Sequence, residues 1–340
     1  MIAQKSAVTA DFGPTRVELA WTPTLWLPRQ VADAIKRIKP DVLHVQHEFN
    51  LYGGLLQGFL LSALVRRIRH RGTRTITTVH GVVAPQDVTQ EFLRRNSLPL
   101  IPPLVRLAFR LAFRLVNSSS DLLIVHHEYF RDLLVHAYGI PSNKIVVIAP
   151  GVADGDKHSN RVRRTRGRRV LCIGFLTGYK LPELVVDVAE ARGVSGASYS
   201  FCIGANPRAK NRRYDDRYAS LRRRIEALGP SAKWVGYVPD EDLASTIASS
   251  DVVVLPYTEC VSVSGIAGLA RQSGTAICYS RPLRPLFGAT AFEFELNPKA
   301  LATAISNAFS ATGVDLASGL TTWCETASAT EAAWNSAFRI

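Results

Sequence analysis

Residues 251–280 read DVVVLPYTECVSVSGIAGLARQSGTAICYS and hold a complete strand–loop–helix–strand unit. Val252 to Leu255 is a short apolar run that predicts a buried strand, and Ala276 to Tyr279 predicts a second one. The segment between them changes to helical spacing after a polar loop. Two strands joined through a helix pair in parallel. This unit therefore predicts an open α/β sheet, with the loop after Leu255 at the carboxyl edge of its strand.

The same alternation of strand and helix patterns continues along most of the chain. Helical patterns, such as those of residues 55–71 and 182–192, separate short runs rich in β-branched residues. Those runs predict further strands at residues 41–46, 74–79, 121–125, 145–149, 170–173, 199–203 and 233–235. A βα series of this kind predicts a largely parallel sheet covered by helices. Asp240 is the expected cap of a helix over residues 241–249.

The alternation is interrupted by residues 153–169, ADGDKHSNRVRRTRGRR. This segment is polar, charged and rich in turn residues, which is typical of an interdomain linker. A chain of 340 residues is also about twice the size of a typical single domain. We therefore expect two doubly wound, Rossmann-like α/β domains, over residues 1–150 and 151–319.

The N-terminal segment predicts less structure than a doubly wound domain normally has at its start. Such domains usually open with a strand, a glycine-rich turn and a helix. Here residues 1–26 predict at most one strand, Thr15 to Trp21, before the first helix. We expect the first βα unit to be missing, either because the chain starts late or because the domain lacks it.

Composition is that of a globular protein with sizeable cores, since 47% of the residues are hydrophobic and 20% are charged. No apolar run approaches the roughly 20 residues of a membrane-spanning helix. The N-terminus lacks the apolar core of a signal peptide, so a cytoplasmic protein is expected. The five cysteines show no CxxC spacing, which argues against a disulfide framework or a zinc ribbon.

The net charge of +13 favours polyanionic partners: nucleic acid, anionic lipid or phosphorylated small molecules. Nucleic acid is the weakest of the three, because the chain has no zinc-finger spacing, no RNP-type motif and no basic region followed by heptads. The arginine cluster at residues 161–169 fits a solvated linker better than a nucleic-acid site. We therefore expect no nucleic-acid partner.

Polar residues mark the start of the helix after Leu255. Ligands of open parallel sheets bind beyond the carboxyl ends of the strands, and a helix that begins there presents unpaired amides to an anion. Ser262, Ser264 and Gly265 fit a phosphate, and Glu259 fits the hydroxyls of a ligand. Ordinary helix capping explains the serines and the glycine equally well.

A second turn of the same kind favours the ligand hypothesis. The strand at residues 170–173 runs into GFLTGYK, from Gly174 through Gly178 to Lys180, and a helix follows. Two anion-binding turns in one domain, one of them with a cation, suit a diphosphate, although a solvated surface lysine is the alternative. Neither turn has the Walker A or GxGxxG pattern, so kinase-like and dinucleotide-binding functions are disfavoured.

These two turns resemble those of the family 4 glycosyltransferases, retaining enzymes of the GT-B architecture in which two Rossmann-like domains face a cleft. Other segments resemble the family's in the family's order: PDVLHVQHEFNLYGG, TITTVHGV, DLLIVHHEYFRDLLVHAYGIPSNKIVVIAPGV and KWVGYVPDEDLASTIASSDVVVLPY. The final stretch, residues 320–340, resembles the C-terminal helix that crosses back to the first domain. The resemblance thus covers most of the chain.

The resemblance implies roles for particular residues. Lys180 and the pair Ser264–Gly265 are expected to contact the donor diphosphate, Glu259 to meet the donor sugar, and His80 to lie next to the reacting sugar. Gly174, Gly178 and Ser262 belong to the same two turns. The alternative for His80 is a histidine that only caps the end of a strand. The expected donor is a nucleoside-diphosphate sugar, and the expected acceptor is a glycan or a lipid-linked sugar.

Two positions depart from the family pattern. The second glutamate of the family's pair falls at Ala267, and the arginine often found early in the first turn falls at Phe175. The N-terminal glycine-rich turn is also missing from the pattern. The leading expectation is a retaining glycosyltransferase, and the alternative is a non-catalytic or partner-dependent protein that binds nucleotide sugars.

No metal and no cofactor are expected. Lys180 is a fixed cation that substitutes for a metal, and no DxD-type acidic pair lies in a suitable loop. The stretch HVQHE, with His44 and His47, superficially resembles a zinc motif. Zinc motifs of that kind lie on helices, whereas this segment is predicted to be a strand that runs into a loop.

The stretch RLAFRLAFRLV places Arg106, Arg110 and Arg114 four residues apart, with leucine and phenylalanine between them. On a helix this predicts an arginine stripe beside a broad apolar surface, which suits the interface of an anionic membrane. The alternative is a helix packed on the sheet with its arginines in solvent. A protein peripheral to the inner membrane is therefore the second possibility for its location.

Overall fold

The computed structural model describes residues 1–4, 15–48, 51–52, 54–69, 72–96, 98–152, 167–205, 212–311 and 320–337. It divides into two compact units. The first comprises Met1–Val88, Leu100–Ala149 and Thr326–Ile340, and the second comprises Thr89–Pro99 and Pro150–Glu325. Most of the expected linker, residues 153–166, lies outside the described residues.

Both units contain parallel sheets with helices between the strands, so the predicted α/β class is confirmed. The elements up to the linker are β1 Ile2–Gln4, β2 Glu18–Trp21, α1 Leu27–Ile38, β3 Val42–His47, α2 Leu55–Arg69, β4 Arg74–Val79, α3 Gln90–Arg95, α4 Pro102–Ser119, β5 Leu122–Val125, α5 Glu128–Tyr138 and β6 Ile145–Val147. All of them except α3 belong to the first unit.

The first unit contains a four-stranded parallel sheet in the order β3-β4-β5-β6 and a separate parallel pair, β1-β2. The expectation of at most one strand in the N-terminal segment is therefore wrong. Strand β1 is only three residues long and pairs with residues 18–21, so no local pattern reveals it. The core beside this pair includes Trp21, Leu27 and Val31.

Helix α4 packs one face into the first unit and leaves the opposite face to solvent. Val105, Phe109 and Phe113 are buried on the packed face. The expectation that Arg106 belongs to an exposed arginine stripe is wrong: its guanidinium donates to the carbonyl oxygen of Val88 at 3.0 Å. Position 106 adjoins the packed face of the helix, so this side chain turns inward while those of Arg110 and Arg114 stay exposed.

The second unit contains β7 Arg169–Phe175, α6 Pro182–Glu190, β8 Ser198–Gly204, α7 Arg212–Ala227, β9 Ala232–Trp234, α8 Asp240–Ala248, β10 Val252–Leu255, α9 Gly265–Gln272, β11 Ala276–Ser280, α10 Arg284–Phe287, β12 Glu293–Phe294 and α11 Pro298–Ser310. Helix α12, Trp323–Ala337, begins in this unit, and its residues from Thr326 onward count with the first unit. Among the described helices, none is long and apolar enough to span a membrane.

The second sheet is parallel throughout, in the order β12-β11-β10-β7-β8-β9. Its register places Val252 opposite both Val170 and Ala276, so β7, β10 and β11 have their carboxyl ends at one edge. From β7 the sheet extends through β8 to β9 in one direction, and from β10 it extends through β11 to β12 in the other, so the strand order reverses between β7 and β10. Asp240 is not the cap of α8, because Pro239 takes that position and Asp240 is the first residue of the helix.

A buried carboxylate ties the strands of the first sheet together. Asp121 accepts hydrogen bonds from the Thr75 amide at 2.8 Å and from the Arg69 guanidinium at 2.7 Å. Burial raises the pKa of Asp121, but these bonds and the attraction of Arg69 and Arg74 outweigh it and hold the pKa below its usual value. The carboxylate therefore stabilises the fold when it is ionised.

We expect Asp121→Ala to lower the free energy of unfolding by about 1–3 kcal/mol at neutral pH, because the Thr75 amide loses its acceptor. The depressed pKa means that this contribution is present above the ordinary pKa of an aspartate and disappears as pH falls through the folded-state pKa. Urea denaturation at several pH values measures it. Asp132→Ala is the control, because Asp132 pairs with Arg131 at the surface. Equal losses in the two variants would contradict this account of Asp121.

Candidate functional site

The loops that follow β7 and β10 are joined to each other by backbone hydrogen bonds. Lys180 and Tyr257 form an antiparallel bridge. The Thr258 amide donates to the Tyr179 carbonyl at 2.8 Å, and the Leu181 amide donates to the Pro256 carbonyl at 2.9 Å. The two turns that the sequence singled out therefore form one continuous surface, which we call the joined loops (residues 176–181 and 256–264).

Lys180 extends over the backbone of Gly174. A Cβ at Gly174 would lie 2.9 Å from the Lys180 Nζ, and the φ angle of Gly174 is +133°, so this position requires glycine. The Lys180 Nζ also lies 5.4 Å from the ring centroid of Tyr257 and 5.8 Å from that of Tyr179. Glycine at 174 thus makes room for the ammonium at the carboxyl end of β7.

The environment of the Lys180 ammonium favours an incoming anion. Burial lowers the pKa of Lys180, because water is partly excluded from the charged group. Across the described part of the chain, no carboxylate lies within salt-bridge distance of its Nζ. A desolvated cation with no carboxylate partner gains from binding an anion that supplies the missing charge.

Ser264 and Gly265 lie at the start of α9. The Ser264 hydroxyl caps the helix by accepting a hydrogen bond from the Ala267 amide at 3.3 Å, and it is also bonded to the Tyr257 hydroxyl. A Cβ on Gly265 would have no atom within 4 Å, so the space next to this backbone is open. Ser262 is half-buried in the same loop. The Ser264 cap uses only one amide of the first turn, so other amides at the start of α9 can still donate to an anion.

Glu259 is 6% exposed and has close partners within the second unit. Arg95 of α3 donates to its Oε1 at 3.2 Å, and the Thr258 hydroxyl donates to its Oε2 at 2.6 Å. The Arg95 side chain also pairs with Glu91. The Arg95 carbonyl oxygen lies so close to Gly178 that a Cβ on this glycine would be 2.8 Å from it. Helix α3 thus lies against the joined loops. No local sequence pattern identifies Arg95 as a partner of Glu259, because the two residues are 164 positions apart.

Arg217 of α7 binds the backbone of the first joined loop, residues 176–181. Its guanidinium donates to the carbonyls of Thr177 at 3.0 Å and Lys180 at 2.8 Å, and it forms a two-bond ion pair with Glu183. A guanidinium suits this task because its donors lie in one rigid plane. Arg217 was also missed from the sequence, because it is one of many arginines in α7 and only the tertiary contacts distinguish it.

Two aromatic rings are exposed at the same edge of the second sheet. Phe175, at the end of β7, is 44% exposed, and Tyr237, after β9, is 58% exposed. Their ring centroids are 5.9 Å apart with an interplanar angle of 29°. Gly204, at the end of β8, lies under the Phe175 ring, which a Cβ would approach to 3.0 Å. A flat apolar surface is therefore available on the side of β7 away from β10.

His80 lies in the first unit, directly after β4. Its Nε2 is 2.7 Å from the Gln46 Oε1, and its Nδ1 is 3.3 Å from the His126 Nε2. Burial lowers the pKa of His80 to about 4, and the nearby His126 and His44 contribute in the same direction. The ring is therefore uncharged at neutral pH, and both of its nitrogens have partners.

The zinc-like stretch HVQHE forms the last four residues of β3 and the residue after it, so it is a strand end as the sequence indicated. His44 contacts Thr78 and Trp334, and His47 is 3% exposed. Among the described residues, no group of three or more histidines, cysteines, aspartates and glutamates is placed to hold a metal ion.

Residues 7–155 match the family model described as Glycosyltransferase Family 4. The family resemblance inferred from the sequence is thereby confirmed. No curated protein sequence matches the chain.

Solved structures of glycosyltransferases share the fold. HepE from Anabaena, in complex with UDP-glucose, is 14% identical with a TM-score of 0.65, over 94% of this chain and 86% of HepE. Sucrose-phosphate synthase from Thermosynechococcus elongatus is 15% identical with a TM-score of 0.63, over 96% and 82%. Trehalose-6-phosphate synthase OtsA is 12% identical with a TM-score of 0.66, over 93% and 76%. The predicted GT-B-like fold is confirmed.

We expect Arg217→Met to lower the free energy of unfolding by about 1–3 kcal/mol, because the half-buried Glu183 loses its partner and two carbonyls of the joined loops lose their donor. Arg222→Met is the matched control on the same helix, since Arg222 pairs with Glu226 at the surface and its loss should change stability by less than about 0.5 kcal/mol. Urea denaturation compares them, and equal effects would show that Arg217 is an ordinary surface arginine.

Proposed function

We propose that this chain, which carries a family 4 glycosyltransferase domain over residues 7–155, transfers a sugar from a nucleoside-diphosphate sugar to a glycan or a lipid-linked acceptor. The transfer retains the anomeric configuration and needs no metal ion. The observation that carries this proposal is the desolvated Lys180 ammonium, which lies 5.4 Å from the ring of Tyr257, the residue whose hydroxyl is bonded to Ser264 at the start of α9. The UDP-glucose bound in Anabaena HepE supports the choice of donor class.

The joined loops suit the leaving group of such a reaction. When the bond between the sugar and the diphosphate breaks, negative charge develops on the phosphate, and preorganised positive groups lower the barrier most when water is excluded. Lys180 supplies a fixed charge, and the first amides of α9 supply hydrogen-bond donors and the positive end of a helix dipole. This fixed charge is the reason for proposing transfer without a metal.

Retention follows if the acceptor hydroxyl attacks the face of the sugar from which the diphosphate leaves. The new bond forms between the acceptor oxygen and the anomeric carbon while the bond from that carbon to the diphosphate oxygen breaks. The departing diphosphate takes the proton of the acceptor hydroxyl. The sugar passes through a state that resembles an oxocarbenium ion, so no enzyme nucleophile is needed.

Glu259 is assigned to the hydroxyls of the donor sugar. A carboxylate can accept about four hydrogen bonds, and those from Arg95 and Thr258 are two of them. The Arg95 guanidinium balances the charge of this buried carboxylate. The Phe175–Tyr237 pair is assigned to the nucleobase, because aromatic side chains stack on the flat face of any base.

We expect Lys180→Ala to lower turnover by about a hundredfold, as the loss of one preorganised charge-stabilising group implies. Steady-state kinetics with the nucleotide sugar that the protein uses measure this effect. Lys233→Ala is the control, because Lys233 is exposed on β9 and should leave turnover unchanged. Near-normal transfer by a folded Lys180→Ala variant would remove Lys180 from the mechanism.

The second candidate function is nucleotide-sugar binding without catalysis. Ala267 and Phe175, which replace a glutamate and an arginine of the family pattern, are the observations that favour it. Binding of the donor by a sample that neither transfers nor hydrolyses it, with every acceptor class tested, would support this candidate.

The exposed face of α4 is proposed to contact an anionic membrane surface where lipid-linked acceptors lie. Ile101, Leu104, Leu107 and Leu111 are each about half exposed, at 53%, 51%, 50% and 47%. Their spacing of three to four residues places them along one side of the helix. The exposed Arg110 and Arg114 supply attraction to anionic headgroups, so the face combines the two features of an interfacial helix.

We expect the double variant Leu104→Glu/Leu111→Glu to weaken binding to vesicles of anionic phospholipid by about tenfold or more, because two apolar side chains can no longer be buried in the interface. Sedimentation with anionic and with neutral vesicles measures it. Leu296→Glu, at an exposed leucine of the second unit, is the control. Vesicle binding that is equal in both variants would argue against α4 as the contact surface.

A further inference from the structure

A chain of hydrogen bonds runs through three histidines of the first unit, and both of its ends have a fixed direction. At one end the Trp334 Nε1 lies 3.2 Å from the His44 Nδ1. An indole N–H can only donate, so this nitrogen of His44 accepts. At the other end the His126 Nδ1 lies 2.9 Å from the Ile148 carbonyl oxygen. A carbonyl can only accept, so this nitrogen of His126 donates.

The two ends determine where the hydrogens of all three rings lie. A neutral imidazole carries one hydrogen, so the hydrogen of His44 is on Nε2, which is 2.8 Å from the Thr78 hydroxyl. The hydrogen of His126 is on Nδ1, so its Nε2 accepts from the His80 Nδ1 at 3.3 Å. His80 therefore carries its hydrogen on Nδ1 and has a lone pair on Nε2.

Gln46 completes the chain, provided that its amide has one particular orientation. One end of the amide lies 2.7 Å from the His80 Nε2 and the other 3.4 Å from the His44 Nε2. The lone pair of His80 requires the NH₂ group, and the N–H of His44 requires the oxygen. The oxygen and nitrogen of an amide are assigned from such networks, so the consistent orientation exchanges the two atoms.

Neutral rings are also what the surroundings favour. Burial lowers the pKa of both His44 and His80 to about 4, and it lowers the pKa of His126. With every ring neutral, each contact from Trp334 to Ile148 pairs a donor with an acceptor, and the one N–H of His44 is shared between the Thr78 hydroxyl at 2.8 Å and the Gln46 oxygen at 3.4 Å. With His80 protonated, its Nε2 would present a hydrogen to the Gln46 NH₂ group.

We propose that Gln46 and Trp334 are positioning residues that, together with His126, hold His80 as the uncharged Nδ1–H tautomer. Its functional consequence rests on the proposed function. On the expectation from the family resemblance that His80 lies next to the reacting sugar, a neutral ring adds no positive charge to a sugar that itself becomes positive in the transition state. The network thus keeps the ring in place through both nitrogens while it stays uncharged.

The direct test is nuclear magnetic resonance of the full chain with ¹⁵N- and ¹³C-labelled histidine, with the His80 signals identified by their loss in His80→Asn. We expect hydrogen on Nδ1 of His80 and His126, and on Nε2 of His44. Free histidine favours the Nε2–H form, so this result for His80 is not the default. A hydrogen on Nε2 of His80 would overturn the proposal. The measurement uses no nucleotide sugar, so its failure is distinct from a failure of the proposed function.

Variants of Gln46 test the positioning role, because this side chain is exposed and its replacement should leave the fold intact. In Gln46→Glu, a carboxylate accepts from both rings, so His80 gains a second N–H and becomes an imidazolium. Within the described part of the first unit, the titratable groups that act on His80 are His44, His47 and His126. We expect transfer to fall about tenfold near neutral pH, because a positive ring paired with a carboxylate replaces the neutral ring, and to recover as pH rises and the ring loses its added proton.

Gln46→Met is the matched control, because it removes the amide without adding a charge. We expect its activity to show no such recovery with pH and its His80 to stay uncharged. A pH profile of Gln46→Glu that matches the parent protein would contradict the positioning role.

Trp334→Phe keeps a ring beside His44 but removes the N–H, so we expect His44 to become a mixture of tautomers. An unchanged His44 spectrum would remove Trp334 from the network.

Discussion

The central physical constraint of the second unit is the partly desolvated ammonium of Lys180. Among the described residues, no carboxylate lies within salt-bridge distance of it. Burying a charge is costly unless something compensates for it. Here the backbone bonds between Lys180 and Tyr257 fix the loops, Gly174 leaves space for the ammonium, and Arg217 ties the loop to α7. The fold maintains the lysine in a state that an anion relieves, which is what a binding site for diphosphate requires.

In the first unit, burial acts on histidines, and its result differs from that for Lys180. Burial makes the charge of the Lys180 ammonium costly, and the same effect lowers the pKa of His44, His80 and His126 so that these rings are uncharged at neutral pH. A neutral imidazole still donates one hydrogen bond and accepts another. The three rings can therefore form a directed network in which donors face acceptors when no ring is charged.

Local patterns in the sequence predicted much of the fold but little of what supports the site. The strands Arg74–Val79 and Val252–Leu255 have the predicted bounds, because buried parallel strands are short apolar runs with turn residues at their ends. The contacts of Glu259 with Arg95, and of Arg217 with the joined loops, join residues far apart in the chain. Their residue types are common on surface helices, so only the tertiary structure identifies them.

The most direct test of a diphosphate site on the second unit is a comparison of nucleotide binding by titration calorimetry. UDP and GDP are compared with UMP and GMP, which keep the base and the ribose but lack the second phosphate. The account predicts that at least one diphosphate binds about tenfold or more tightly than its monophosphate, because charge-assisted bonds to the second phosphate are lost. Equal affinities within both pairs, or no binding by a folded sample, would contradict it.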